Sequence, residues 1–145
     1  MKAHIDFLAI SDLQRVHEIE KSAYEDPWPL QSFIDLLSLD HFKHAAIYLE
    51  KSLIGYAFYQ VASIEAQIVN IAIDPKYHGN GYGFLLLSKV HEEAKKLNAS
   101  ECFLELRISN QKAFSLYEKI GYKKIGRRIG YYDNGEDAWM MKCTL

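Results

Sequence analysis

Residues 67–87 read QIVNIAIDPKYHGNGYGFLLL, and the reading of this stretch decides the fold. Its first half alternates, with Gln67, Val69, Ile71 and Ile73 pointing one way and Ile68, Asn70 and Ala72 the other, which predicts a strand. Asp74-Pro75 ends that strand, because proline cannot donate to a ladder and biases its predecessor away from helix. HGNGYG at 78–83 then places three glycines in six residues and runs into a helical apolar pattern, Phe84, Leu87, Val90, His91, Ala94 and Leu97. A strand, a glycine loop and a helix in that order make an anion site. The free N–H groups and positive end of the helix face the loop, and glycine lets backbone approach a phosphate closely. A glycine-rich strand-to-helix turn that binds nothing is the plainer alternative.

Two familiar phosphate loops do not fit. The dinucleotide pattern G-x-G-x-x-G would need glycine at Leu86, and the Walker pattern would need Lys-Ser/Thr where Phe84-Leu85 stands. The loop instead resembles the [Gln/Arg]-x-x-Gly-x-[Gly/Ala] pyrophosphate loop of GNAT-type acetyltransferases, with His78 at the Gln/Arg position and Gly81 and Gly83 matching.

Around this centre, 145 residues with 49% apolar and 25% charged side chains predict one globular domain, 1–145, with a real core. A net charge of −2 gives no nucleic-acid footprint. Cys102 and Cys143 lie in apolar strand-like runs and read as buried free thiols. The first residues lack a signal-peptide pattern, and no apolar run approaches the roughly 20 residues of a membrane span. The expectation is a soluble, cytoplasmic protein with no membrane partner.

Outward from the centre, His4 to Ile10 is expected as a first strand, then a helix capped by Ser11 with Gln14 completing a capping box. Tyr24 to Pro29 interrupts that helix, and Leu30 to Leu37 forms a second. Ala45–Leu49 and Leu53–Ala62 are expected as a hairpin. After the long helix, the strand Glu101–Ile108 puts Glu101, Phe103, Glu105 and Arg107 on one face and Cys102, Leu104, Leu106 and Ile108 on the other. Ser109-Asn110 starts a helix that Gly121 stops. Lys123–Tyr132 and Ala138–Cys143 close the chain as strands around Asn134-Gly135.

The order β-α-α-β-β-β-α-β-α-β-β predicts an α/β fold with a mixed, mostly antiparallel sheet flanked by helices. It is the element order of the GNAT fold, over essentially the whole chain. Four stretches are similar to the ribosomal-protein-alanine N-acetyltransferases (the RimI type): AYEDPW (23–28), NIAIDPKYHGNGYG (70–83), LELRISNQKAFSLYEKIGY (104–122) and GRRIGYYDNGEDAWMM (126–141).

That resemblance implies acetyl-coenzyme A as donor and the N-terminal segment of a small-subunit ribosomal protein, beginning with alanine, as acceptor. It implies Glu105 as proton acceptor and Tyr117 as proton donor to the coenzyme thiolate. It also implies coenzyme contacts from the backbone of Ile71, Ala72 and Ile73, from Gly79, Asn80, Gly81, Tyr82, Gly83 and Phe84, and from Asn110. Taken without the family, Glu105 fits better as a strand glutamate facing water or Arg107, Tyr117 as a core tyrosine, and Asn110 as a helix cap. His78 in place of Gln/Arg, with no cationic residue at Gly79-Asn80, leaves phosphate capture to N–H groups and the helix dipole, helped by Lys76 or His78. Six scattered histidines without paired spacing give a metal site no support, so none is expected. Arg127-Arg128 reads as a solvated strand end. Within the same chemistry, another N-terminus, a lysine or a small amine is a competing acceptor; outside it stands a non-catalytic acyl-coenzyme A-binding module.

Overall fold

The structure, a computed structural model, describes residues 2–145. The strands are β1 (Ala3–Asp6), β2 (Phe42–Leu49), β3 (Ser52–Ala62), β4 (Glu65–Ile73), β5 (Glu101–Arg107), β6 (Lys123–Arg128) and β7 (Ala138–Thr144). The helices are α1 (Leu13–Ala23), α2 (Leu30–Ser38), α3 (Tyr82–Lys96) and α4 (Gln111–Ile120). Among the described residues the strands form one 7-stranded sheet in the order β1-β2-β3-β4-β5-β7-β6. Every neighbouring pair is antiparallel except β4 and β5. The expected mixed, mostly antiparallel α/β sheet is therefore present.

β3 lies near the middle and is buried on both faces from Leu53 to Tyr59, which is why its sequence is almost continuously apolar. On one face, Val16, Ile19 and Phe33 of α1 and α2 pack on Tyr56 and Phe58. On the other, Leu86, Leu87, Val90 and Ala94 of α3, with Tyr117 of α4, pack on Ile54, Tyr59 and Leu104. Phe84 and Leu97, expected on the buried stripe of α3, are exposed, and Leu86 takes the inner position. Phe84 falls in the first turn of α3 and Leu97 just beyond its last residue, Lys96.

The N-terminal expectations need correction. β1 stops at Asp6, whose side chain accepts the Phe7 N–H at 2.8 Å, and a 3₁₀ turn at Ile10–Asp12 precedes α1. Asp12, not Ser11, occupies the N-cap position of α1, but its side chain caps no α1 amide: its carboxylate accepts from the Ala9 N–H at 2.8 Å, ahead of the 3₁₀ turn, and from the Tyr48 hydroxyl at 2.9 Å. Ser11 lies inside the 3₁₀ turn, one residue too early to cap a helix that starts at Leu13. Near the C-terminus, β6 ends at Arg128 rather than Tyr132. Residues 129–137 make a wide loop with its tight turn at Tyr132–Gly135, closed by a Gly135 N–H to Tyr132 carbonyl bond of 2.8 Å.

The alternation expected along β4 breaks at Val69. Phe58 pairs with Asn70 and Tyr59 with Ile68, so Val69 is an extra residue, a β-bulge. After it the faces switch. Ile68, Ile71 and Ile73 share the α3 side, while Val69 and Ala72 face α1 and α2. The bulge also twists β4 away from β5, and the two strands pair only over Glu65–Gln67 and Glu101–Phe103. Beyond that point they splay.

One buried pair beneath α3 ties stability to pH. The His91 Nε2 lies 2.7 Å from the Tyr122 hydroxyl, and burial, aided by Lys95, lowers the imidazole pKa to about 4. An unfolded histidine titrates near about 6.5. Between those values the unfolded chain binds the extra proton, so this contribution is complete above pH 6.5 and is lost as pH falls towards 4. His91→Gln keeps a hydrogen-bonding group but no titration. Urea midpoints of this variant should therefore fall less than those of the native protein across that window. Parallel curves would remove His91 from the pH response.

Candidate active site

The splay between β4 and β5 opens a cavity of about 740 Å³. Ile68–Ile71 of β4 and Leu104–Arg107 of β5 line it. The elbow between α1 and α2 (residues 24–29), the loop at Tyr131–Asp133, and Asn110, Ala113 and Tyr117 of α4 complete its walls. Each lining follows from local sequence. Glu105 projects from the half-exposed face of β5, as its alternation predicts. Asn110 caps α4 by accepting the Ala113 N–H at 3.2 Å, which fixes the helix start at the cavity wall.

Glu105 does not pair with Arg107. One of its carboxylate oxygens accepts from the Tyr131 hydroxyl and the other lies 3.4 Å from Arg128 Nε, so Arg128, exposed at the end of β6 as the sequence predicts, also has a carboxylate partner. The Arg107 guanidinium instead reaches Asp26 at 2.8 Å and Glu136 at 3.2 Å, and lies 3.9 Å over the Tyr132 ring. It thereby ties the elbow to the loop after β6. Glu136 extends the tie by accepting the Ser109 N–H at 2.8 Å. Sequence reading missed Arg107, Arg128 and Tyr131 because their partners lie far away along the chain. Glu20 was missed too. This carboxylate, buried within α1, accepts from Tyr56, Asn70 at 3.0 Å and the Trp28 N–H at 2.9 Å, so it joins the elbow to the bulged strand.

The cavity gathers phenols. Tyr24 donates to the Ile71 carbonyl. Burial pushes its pKa well up, with Tyr117, Glu20 and Tyr132 adding to the shift. Burial likewise raises Tyr117, followed by Tyr132 and Cys102, and brings Tyr132 to about 12. All three are neutral hydrogen-bond donors at working pH.

The Ile71 and Ile73 carbonyls point into the open side of β4, where they accept from Tyr24 and lie 2.8 Å from His78 Nε2 respectively. In a strand the N–H of a residue points to the same side as its carbonyl, so the Ile71 and Ile73 amides also face the splay. The Ala72 carbonyl faces β3, 2.9 Å from where a Gly55 Cβ would stand. Below the splay, Gly81 caps α3 with φ +82°, and a Cβ there would meet nothing within 4 Å. The loop is thus an open cradle in front of the unpaired N–H groups of the first turn of α3. Asn80 pins it by donating to the Tyr77 carbonyl at 3.1 Å and the His78 carbonyl at 3.2 Å. Gly83 has the opposite constraint, for its Cβ would lie 3.0 Å from Leu116 Cδ2. These features fit a pyrophosphate at the loop and an extended pantetheine chain along β4.

The comparisons agree with that geometry. A family model described as the acetyltransferase (GNAT) family matches residues 13–122. The chain belongs to that family. The [ribosomal protein bS18]-alanine N-acetyltransferase of Haemophilus influenzae is 35% identical over 138 residues, covering 92% of this chain and 93% of that one. The crystal structure of the ribosomal-protein-S18-alanine N-acetyltransferase from Escherichia coli superposes with a TM-score of 0.90 at 31% identity, covering 99% of this chain and 94% of that one. The PaiA N-acetyltransferase from Thermoplasma acidophilum, solved with coenzyme A, shares the fold at a TM-score of 0.80 and 20% identity, with both chains covered fully (100% and 100%).

This GNAT acetyltransferase brings Glu105, Tyr117, Asn110 and the bulged part of β4 to one cavity. Ala72, Ile73 and residues 79–84 of the glycine loop do not line that cavity; the loop is joined to the end of β4 by His78, whose Nε2 lies 2.8 Å from the Ile73 carbonyl oxygen. Among the described residues no cluster of His, Cys, Asp or Glu is placed to hold a metal, and no helix is long and apolar enough to cross a membrane.

Coenzyme binding is expected to fail in Gly81→Val. A β-branched residue is strained at φ +82°, and its methyl groups would fill the cradle in front of the helix N-terminus. Calorimetry should show at least about a thirtyfold loss of acetyl-coenzyme A affinity, since strain and lost amide contacts each cost on the order of 1–3 kcal/mol. Unchanged affinity in the folded variant would remove the loop from the site.

Proposed function

We propose that this acetyltransferase moves the acetyl group of acetyl-coenzyme A to the α-amine of an N-terminal alanine on a ribosomal protein of the S18 type. Near-full-length similarity to the Haemophilus and Escherichia enzymes carries the acceptor assignment. A cavity walled by the elbow and the Tyr131–Asp133 loop, which belong to two of the stretches that resemble the ribosomal-protein enzymes, agrees with it. One domain spanning 1–145 working in the cytoplasm, where ribosomal proteins are found, completes the reading.

An α-amine with a pKa near about 8 is largely protonated at neutral pH and cannot attack until it loses a proton. Glu105 takes that proton. Tyr131 and Arg128 hold its carboxylate in place while leaving lone pairs free towards the cavity. Acetyl-coenzyme A supplies the thioester. The Ile71 amide faces the position of its carbonyl oxygen and stabilises the charge that develops there. Tyr117 meets the departing sulfur. Because burial raises its pKa further above that of an ordinary thiol, near about 8.5, its main contribution is a hydrogen bond to the thiolate, with complete proton transfer uphill. Both cysteines are buried and burial raises the pKa of each, Cys102 to about 11, which favours direct attack over a covalent enzyme intermediate.

A thiol-release assay over a panel of acceptors tests the assignment. Peptides starting with alanine and copied from ribosomal protein S18 should be the fastest. If polyamines react far faster than any alanine-starting peptide, the acceptor is wrong and the transferase assignment survives.

A further inference from the structure

The glycine loop carries no lysine or arginine between Gly79 and Phe84, yet a pyrophosphate brings two negative charges that amide dipoles do not neutralise. The fold delivers a cation from elsewhere. His78 is held on both sides of its ring, with Nε2 2.8 Å from the Ile73 carbonyl oxygen and Nδ1 3.3 Å from Lys112 Nζ. A carbonyl only accepts and an ammonium only donates. One neutral tautomer satisfies both, with the hydrogen on Nε2 and the lone pair on Nδ1 turned to Lys112. Lys112 lies one helical turn before Leu116, the residue whose Cδ2 stands 3.0 Å from a Cβ built on Gly83. The two share a face of α4. That face runs beside the loop and the start of α3, so Leu116 packs against the helix and the Lys112 ammonium stands at the loop.

We propose that Lys112 is a coenzyme-binding residue that supplies the pyrophosphate with the positive charge its loop lacks, and that His78 positions it. The inference rests on the coenzyme reading of the glycine loop. A neutral imidazole is a weak partner for an ammonium. On binding, the flexible stem swings the charge from the Nδ1 lone pair to a phosphate oxygen, exchanging a neutral acceptor for an anionic one. His78, standing where relatives of the loop pattern carry Gln or Arg, then serves by holding a lysine from α4 and not by touching phosphate itself.

Calorimetry on the full chain with coenzyme A and with dephospho-coenzyme A, which keeps the pyrophosphate and lacks the 3′-phosphate, tests this. Lys112→Ala should weaken both ligands equally, by about ten- to a hundredfold, the range of a charge-assisted hydrogen bond, and the loss should shrink at high salt. Lys112→Arg should restore most of the affinity, which a purely structural role would not require. Unchanged affinity in Lys112→Ala overturns the proposal. So does a loss confined to coenzyme A, which would move Lys112 to the 3′-phosphate, and so does an arginine variant as weak as the alanine one. If the native protein binds neither ligand, the coenzyme reading of the loop fails and the proposal falls with it; in the other outcomes that reading stands.

Discussion

Glu105→Gln is expected to lower the rate of acetyl transfer by about 10²–10⁴-fold at neutral pH while leaving acetyl-coenzyme A affinity within about twofold of native. The amide keeps the shape of the side chain and still accepts from Tyr131, but it cannot take a proton from the acceptor ammonium. The loss should therefore depend on pH. As pH rises through the pKa of the acceptor amine, the substrate arrives deprotonated and the variant should regain part of its rate. Single-turnover rates from pH 6 to 10 read this directly. Native turnover in Glu105→Gln near neutral pH, with chemistry limiting, would refute the assignment.

Tyr117→Phe should cost a comparable factor with the opposite pH behaviour. The ring remains packed against Tyr122 at 5.6 Å between centroids, so the fold is retained, and only the hydroxyl towards the thiolate is lost. Raising the pH does not replace that donor, and the deficit should persist or widen. Recovery at high pH equal to that of Glu105→Gln would place Tyr117 on the acceptor side of the reaction. A leaving group more acidic than an ordinary thiol should rescue Tyr117→Phe and leave Glu105→Gln impaired.

How much of this was legible in the sequence depends on the range of the interactions involved. The alternation of β5, the Asn110 cap of α4 and the Gly121 stop rest on neighbours in the chain, and the structure shows each as the sequence predicts. Glu105 and Tyr117 were named through four resembling stretches, and the fold brings both to one cavity. The Val69 bulge was not legible, because IVNIAI alternates as well with an extra residue as without one. Its position is set by how β3 pairs. The Arg107 tie, the Arg128 and Tyr131 partners of Glu105, and the Lys112–His78 contact join residues 23 to 81 positions apart. No periodicity records such pairs. Ser11 is not the cap for a related reason: it falls in a 3₁₀ turn closed by Asp12, whose carboxylate is also held by Tyr48 from a distant strand.

The proposed chemistry is Nα-transfer to an N-terminal alanine within the cavity between β4 and β5. It is tested most directly by mass spectrometry of one product. The native protein is given acetyl-coenzyme A and a peptide from the start of ribosomal protein S18 that carries both its terminal alanine and an internal lysine. A single acetyl group on the α-amine is the expected product. Acetylation of the lysine side chain, or none on the peptide while coenzyme A binds normally, would contradict the proposed chemistry.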